Sequence, residues 1–81
     1  KLDKVYIHLG SFYSLKTAIF LKKRISKDLP GFDVSKLKIQ KNNNKETLVI
    51  SGPYSSINLL KNDYILLKNF GFEEMDIFIN E

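Results

Sequence analysis

Ile7-His8-Leu9-Gly10-Ser11-Phe12-Tyr13-Ser14-Leu15 and Val49-Ile50-Ser51-Gly52-Pro53-Tyr54-Ser55-Ser56-Ile57 match in kind, with Gly10 falling on Gly52. In each, an alternating strand runs into glycine, an aromatic stands two residues on, serine follows, and an amphipathic helix begins. Glycine predicts a sharp turn off the strand end. The aromatic, Phe12 or Tyr54, is expected to drop beneath the helix as a corner plug. Two strand–helix units that cannot bury an apolar face alone are expected to share one core.

The rest of the chain follows from this pair. Val5, Ile7 and Leu9 alternate with Tyr6 and His8, which reads as a half-buried strand. Ser14 predicts the N-cap of a helix to about Lys27, with Leu15, Ala18, Leu21 or Ile19, and Ile25 as its stripe and Lys16, Lys22, Lys23 and Lys27 largely wet. Leu29-Pro30-Gly31 stops it. Leu37-Lys38-Ile39-Gln40 reads as a second strand, Asn42-Asn43-Asn44-Lys45 as a hairpin turn, and Thr47 to Ser51 as a third strand. Ser55 or Ser56 caps a second helix, about Ile57 to Asn69, with Ile57, Leu60, Tyr64 and Leu67 inward and Gly71 as its stop. Met75 to Ile79 is the fourth strand. The expected fold is α+β: β-α-β-β-α-β, a four-stranded antiparallel sheet in the order 4-1-3-2 or a close variant, with two helices on one face, ferredoxin-like or RNP-like. The expected core is Ile7, Leu9, Phe12, Ala18, Leu21, Ile25, Val49, Tyr54, Leu60, Leu67 and Ile77.

At 81 residues the chain reads as one domain, cut from a longer protein. It has no cysteine and one histidine, so thiol chemistry and two-histidine metal ligation are excluded. Neither paired carboxylates in a clear constellation nor a phosphate-cradling glycine loop is present, so no enzyme and no cofactor is expected. No apolar run approaches a membrane span. Eleven of the thirteen Lys and Arg lie in residues 1–45 against three acids, while 46–81 hold two Lys and six acids. A basic half suits a polyanion, but the lysines are scattered, and a solvated surface is the reading adopted.

Three segments carry a resemblance. Ile7 to Ser14 resembles the opening strand of SPOR domains, aliphatic-Gln-aliphatic-Gly-Ser-Phe. Leu48-Val49-Ile50-Ser51-Gly52-Pro53-Tyr54-Ser55-Ser56 resembles their third strand and Gly-Pro-aromatic-Ser corner. Asn69-Phe70-Gly71-Phe72 before Met75 to Ile79 looks like their step into the last strand. The resemblance implies a bacterial envelope or periplasmic module, outside the cytoplasmic membrane at the division septum or cell wall, binding peptidoglycan glycan stripped of stem peptides. It implies a parent that is anchored or secreted. The domain itself is expected to be a monomer touching neither membrane nor nucleic acid. The resemblance places the ligand near His8, where the family commonly has Gln, and near Ser11. Neutral histidine keeps one donor and one acceptor.

Strand three admits two registers. Hydrophobicity alone puts Leu48 and Ile50 in the core. The repeat matches Ile50 to His8 and Leu48 to Tyr6, turning both outward, and a slip of one residue inverts every side chain. The repeat is followed here, so Tyr6, Leu48 and Ile50 are expected as an exposed apolar strip beside His8 and Ser11. Lys36, Lys38 and Gln40 from strand two, and Asp76 and Phe78 from strand four, would join the same face. The competing function is an RNA-binding module of the same topology, although Glu46 to Ser51 lacks the basic residue, glycine and aromatics of its third-strand signature.

Overall fold

A computed structural model describes residues 4–41 and 45–79. The chain runs β1 (Val5–Phe12), α1 (Leu15–Asp28), a single 3-10 turn (Val34–Lys36), β2 (Leu37–Lys41), β3 (Thr47–Tyr54), α2 (Ile57–Phe70) and β4 (Asp76–Ile79). The strands form one antiparallel sheet in the order β2-β3-β1-β4. This is the expected α+β, ferredoxin-like fold. Asn42-Asn43-Asn44, expected as a hairpin turn, lies outside the described residues.

Both helices start on serine. The Ser14 hydroxyl accepts from the Lys16 N–H at 3.1 Å, and the Ser56 hydroxyl from Leu59 N–H at 3.1 Å, each satisfying an otherwise orphaned donor. Gly71, at φ 138°, ends α2, and its N–H together with that of Phe72 closes on the Leu67 and Lys68 carbonyls. The core lies between the helices and one sheet face, with Ile7, Leu9, Ala18, Ile25, Val49, Tyr54, Leu60 and Leu67 buried. Phe12 and Leu21 are half-buried against it. Ile77 corrects the expectation, being 53% exposed, as do Leu15 and Ile57, expected on the inner helix stripes but exposed in the first turns of α1 and α2. The parity of Ile77 is right, but β4 is an edge strand, and an open apolar groove lined by Leu60, Lys61, Tyr64, Ile65 and Ile77 separates it from α2.

The strands do not end at the two glycines. They continue to Phe12 and Tyr54 by absorbing two register shifts in the β1–β3 ladder. His8 opposes Ile50 but Gly10 opposes Val49, so β1 carries one residue more than β3 there. Val5 opposes Tyr54 but Ile7 opposes Ser51, so β3 carries the extra residue around Gly52-Pro53, whose peptide is cis. In a regular strand, residues three apart point to opposite faces. Each bulge brings such a pair onto one face: His8 and Ser11 outward, Ser51 and Tyr54 inward.

Candidate functional site

The helix-free face follows from the ladders, since directly opposed residues share a face. One row crosses the sheet as Asp76, His8, Ile50 and Lys38. A second runs Ser11, Leu48 and Gln40, and Tyr6 opposes Phe78. Tyr6, His8, Ser11, Leu48 and Ile50 thus share this face, with Asp76 and Phe78 beside them. The repeat chose the register of β3 correctly.

Within that face the residues differ in what they offer. Tyr6 and Phe78 stack with ring centroids 5.6 Å apart and planes 18° from parallel. The Tyr6 ring lies over Gly52, where a Cβ would fall 2.7 Å from Tyr6 Cδ2 and 3.0 Å from the Val5 carbonyl oxygen. Glycine at 52 is therefore required twice, by its φ of +143° and by the ring above it. The His8 Nε2 and Ser11 Oγ atoms stand 3.2 Å apart, so the bulge supplies the serine with a ring partner as well as a place on the face.

Ile50 departs from the expected exposed strip: it is 2% exposed. Lys38 stands opposite Ile50 on the neighbouring strand, and its ammonium donates to the Gly52 carbonyl at 2.9 Å. Ile50 is a buried floor, although it stands outside the main core cluster. Leu48 remains half-exposed. With His8, Asp76 and Phe78 it lines an open depression of about 260 Å³. A larger open cleft of about 660 Å³ adjoins it past the end of β1, lined by His8, Ser11, Phe12, Leu21, Phe72 and the carboxylates Glu73, Glu74 and Asp76, among others. His8 and Asp76 belong to both. Among the described residues no group of three His, Cys, Asp or Glu side chains converges as a metal would require.

Lys36 is on the other side. Its position continues the strand-two parity, but it sits in the 3-10 turn, and its ammonium donates to Asp63 Oδ2 on α2 at 3.0 Å. Asp63 is buried between Leu60 and Leu67 on the inner stripe. The Tyr54 hydroxyl donates to the same carboxylate oxygen at 2.8 Å and stands 2.6 Å from Ser51 Oγ. The tyrosine proton is committed to the carboxylate, so Ser51 donates to Tyr54. The Lys36 ammonium also lies 5.3 Å from the Tyr54 ring centre. Burial, first of all, pushes the Tyr54 phenol well above its ordinary range. The Ser51 hydrogen bond opposes that shift, and the adjacent Asp63 carboxylate adds to it. Sequence reading overlooked this network. The signal was an acid at Asp63 in helical register with Leu60 and Leu67, a position that demands a partner.

Comparison of the chain with family models, with curated proteins and with solved structures returns no match.

Proposed function

We propose that this is a non-catalytic domain that binds peptidoglycan glycan strands, preferentially those stripped of stem peptides, on its helix-free sheet face. The observation that carries the proposal is the pairing of a stacked Tyr6–Phe78 surface with His8, Ser11 and Asp76 around the half-exposed Leu48. Pyranose rings present apolar C–H faces that lie on aromatic and aliphatic groups. Their hydroxyl and acetamido substituents need donors and acceptors. In this reading Tyr6, Phe78 and Leu48 meet the ring faces, His8 and Ser11 bond the substituents, and Ile50 supports the floor. The SPOR-like corners around Gly10 and Gly52 favour the same ligand. They also favour a place in the bacterial envelope, at the septum, within an anchored or secreted parent.

A shallow face desolvates little, so one domain binds modestly and a polymer retains it through many equivalent sites. The stacked aromatic pair is also what an RNA-binding reading would use. One experiment separates the two: sedimentation with sacculi rich or poor in stripped strands, beside a mobility shift with poly-U, each at two salt concentrations. Glycan binding should survive added salt and follow the stripped strands. Preferential capture of poly-U, lost steeply with salt, would replace the proposal with RNA.

A further inference from the structure

The outer face of α1 carries a second surface that the glycan reading does not use. Ala18 and Ile25 are buried, and Leu21 packs against the core. On the opposite side, Lys16, Phe20, Lys23, Arg24 and Lys27 follow one another at helical spacing, all exposed. Phe20 is 65% exposed at the centre of this stripe. With Lys23, Arg24, Lys27 and Asp28 it lines an open hollow of about 330 Å³. Arg24 pairs with Asp28 at 3.6 Å, whereas Lys16, Lys23 and Lys27 form no ion pair among the described residues, although Asp28 lines the same hollow. The excess of basic residues in the first half of the chain is thus partly gathered into a stripe around an exposed phenyl ring.

We infer that this face of α1 docks on an anionic phospholipid surface. An exposed helix face with a ring at its centre and cations around it fits a partner that surrounds an apolar layer with phosphate. A lipid headgroup region offers both: phosphates for the lysines and an acyl boundary for Phe20. Three of the four cations are lysines, compact point charges suited to a diffuse anionic layer rather than to planar bidentate recognition. Among the described residues no helix is long and apolar enough to cross a membrane. The contact is therefore peripheral, and it differs from the expectation that the domain touches no membrane. Because α1 lies on the face of the sheet opposite His8 and Leu48, a wall strand and a membrane could be held at once.

The test is co-sedimentation of the 81-residue chain with mixed phosphatidylglycerol–phosphatidylethanolamine vesicles and with pure phosphatidylcholine vesicles, at low and high salt. The chain should bind the anionic vesicles, bind phosphatidylcholine far less, and dissociate as salt screens the lysines. Lys16→Gln/Lys23→Gln/Lys27→Gln should weaken partitioning roughly 100-fold, about fivefold per cation. Phe20→Ser should weaken it about tenfold, since the ring no longer enters the boundary. Lys61→Gln/Lys68→Gln on α2 and His8→Ala on the sheet should leave it unchanged, which separates this surface from the glycan face. Equal binding to phosphatidylcholine overturns the inference, as does indifference to the triple variant or to Phe20→Ser. Retention of poly-U through the same lysines, without vesicle binding, would assign the stripe to nucleic acid instead.

Discussion

The corner at Gly10 and the corner at Gly52 share a plan, a bulge that sets residues three apart on one face, and they fill it with opposite chemistry. At the first corner the outward pair is polar, His8 and Ser11, while Leu9 and Phe12 pack inward. At the second, the inward pair is polar, Ser51 and Tyr54, tied to Asp63 and Lys36, while Ile50 is covered on the open face and Pro53 is exposed. A buried polar chain must be fully satisfied, and here every buried side-chain polar atom among the described residues has a partner. The second corner therefore holds the fold in one arrangement. The first leaves its donors and acceptors at the surface, where a ligand can reach them.

That contrast is easiest to break at Asp63. Asp63→Ala leaves the Tyr54 hydroxyl and the Lys36 ammonium without their shared acceptor, and should cost about 3 kcal/mol in urea unfolding. A loss below about 1 kcal/mol, the value of a surface pair, would mean the network does not anchor the corner. Gly52→Ala comes next. Its Cβ meets both the Tyr6 ring and the Val5 carbonyl at a φ that disfavours side chains, for about 2–3 kcal/mol. The Tyr6 ring should shift, visible as a changed near-ultraviolet spectrum. An unshifted spectrum at wild-type stability would mean that the Tyr6 ring does not rest on Gly52.

Tyr54→Phe should cost about 1–2 kcal/mol near neutral pH. Its sharper signature is in alkali. The folded-state pKa of Tyr54 is raised above the ordinary 10.0, so the unfolded chain loses this proton first as pH rises. Wild-type stability is therefore complete below about pH 10 and declines above it, until the folded phenol also ionises. Tyr54→Phe should remove part of that alkaline decline, measured as unfolding midpoints on either side of pH 10. The first corner should behave differently: His8→Ala and Ser11→Ala should each change stability by no more than about 0.5 kcal/mol.

Much of this arrangement can be read in the residues, and the exceptions have identifiable causes. Alternation in Val5 to Leu9, the serines at 14 and 56, and Gly71 mark the elements because each acts through local backbone geometry. The glycines at 10 and 52 read as strand ends, yet bulges carry the strands past them, since a neighbouring strand supplies hydrogen bonds that local propensity cannot foresee. The direction of Ile50 was legible from the repeat, but its burial was not. Ile50 sits between His8 of β1 and Lys38 of β2, a placement set by strand pairing rather than by its own strand's alternation. Lys36 was misplaced by extending a period of two into a 3-10 turn. Ile77 has the parity of a core residue without a helix close enough to cover it.

The burial of Ile50 also decides which substitution tests the face. Ile50→Glu would bury a carboxylate beneath Lys38 and His8 and report on folding as much as on binding. Leu48 is half-exposed, lines the depression with His8, Asp76 and Phe78, and tolerates a polar replacement better. The most direct test of the central claim is the affinity of Leu48→Glu for sacculi rich in stripped glycan, with circular dichroism to confirm the fold. A native spectrum and at least about a tenfold loss of binding are expected, the loss of roughly one buried aliphatic contact. A folded Leu48→Glu chain that binds stripped glycan as tightly as the wild type would contradict it.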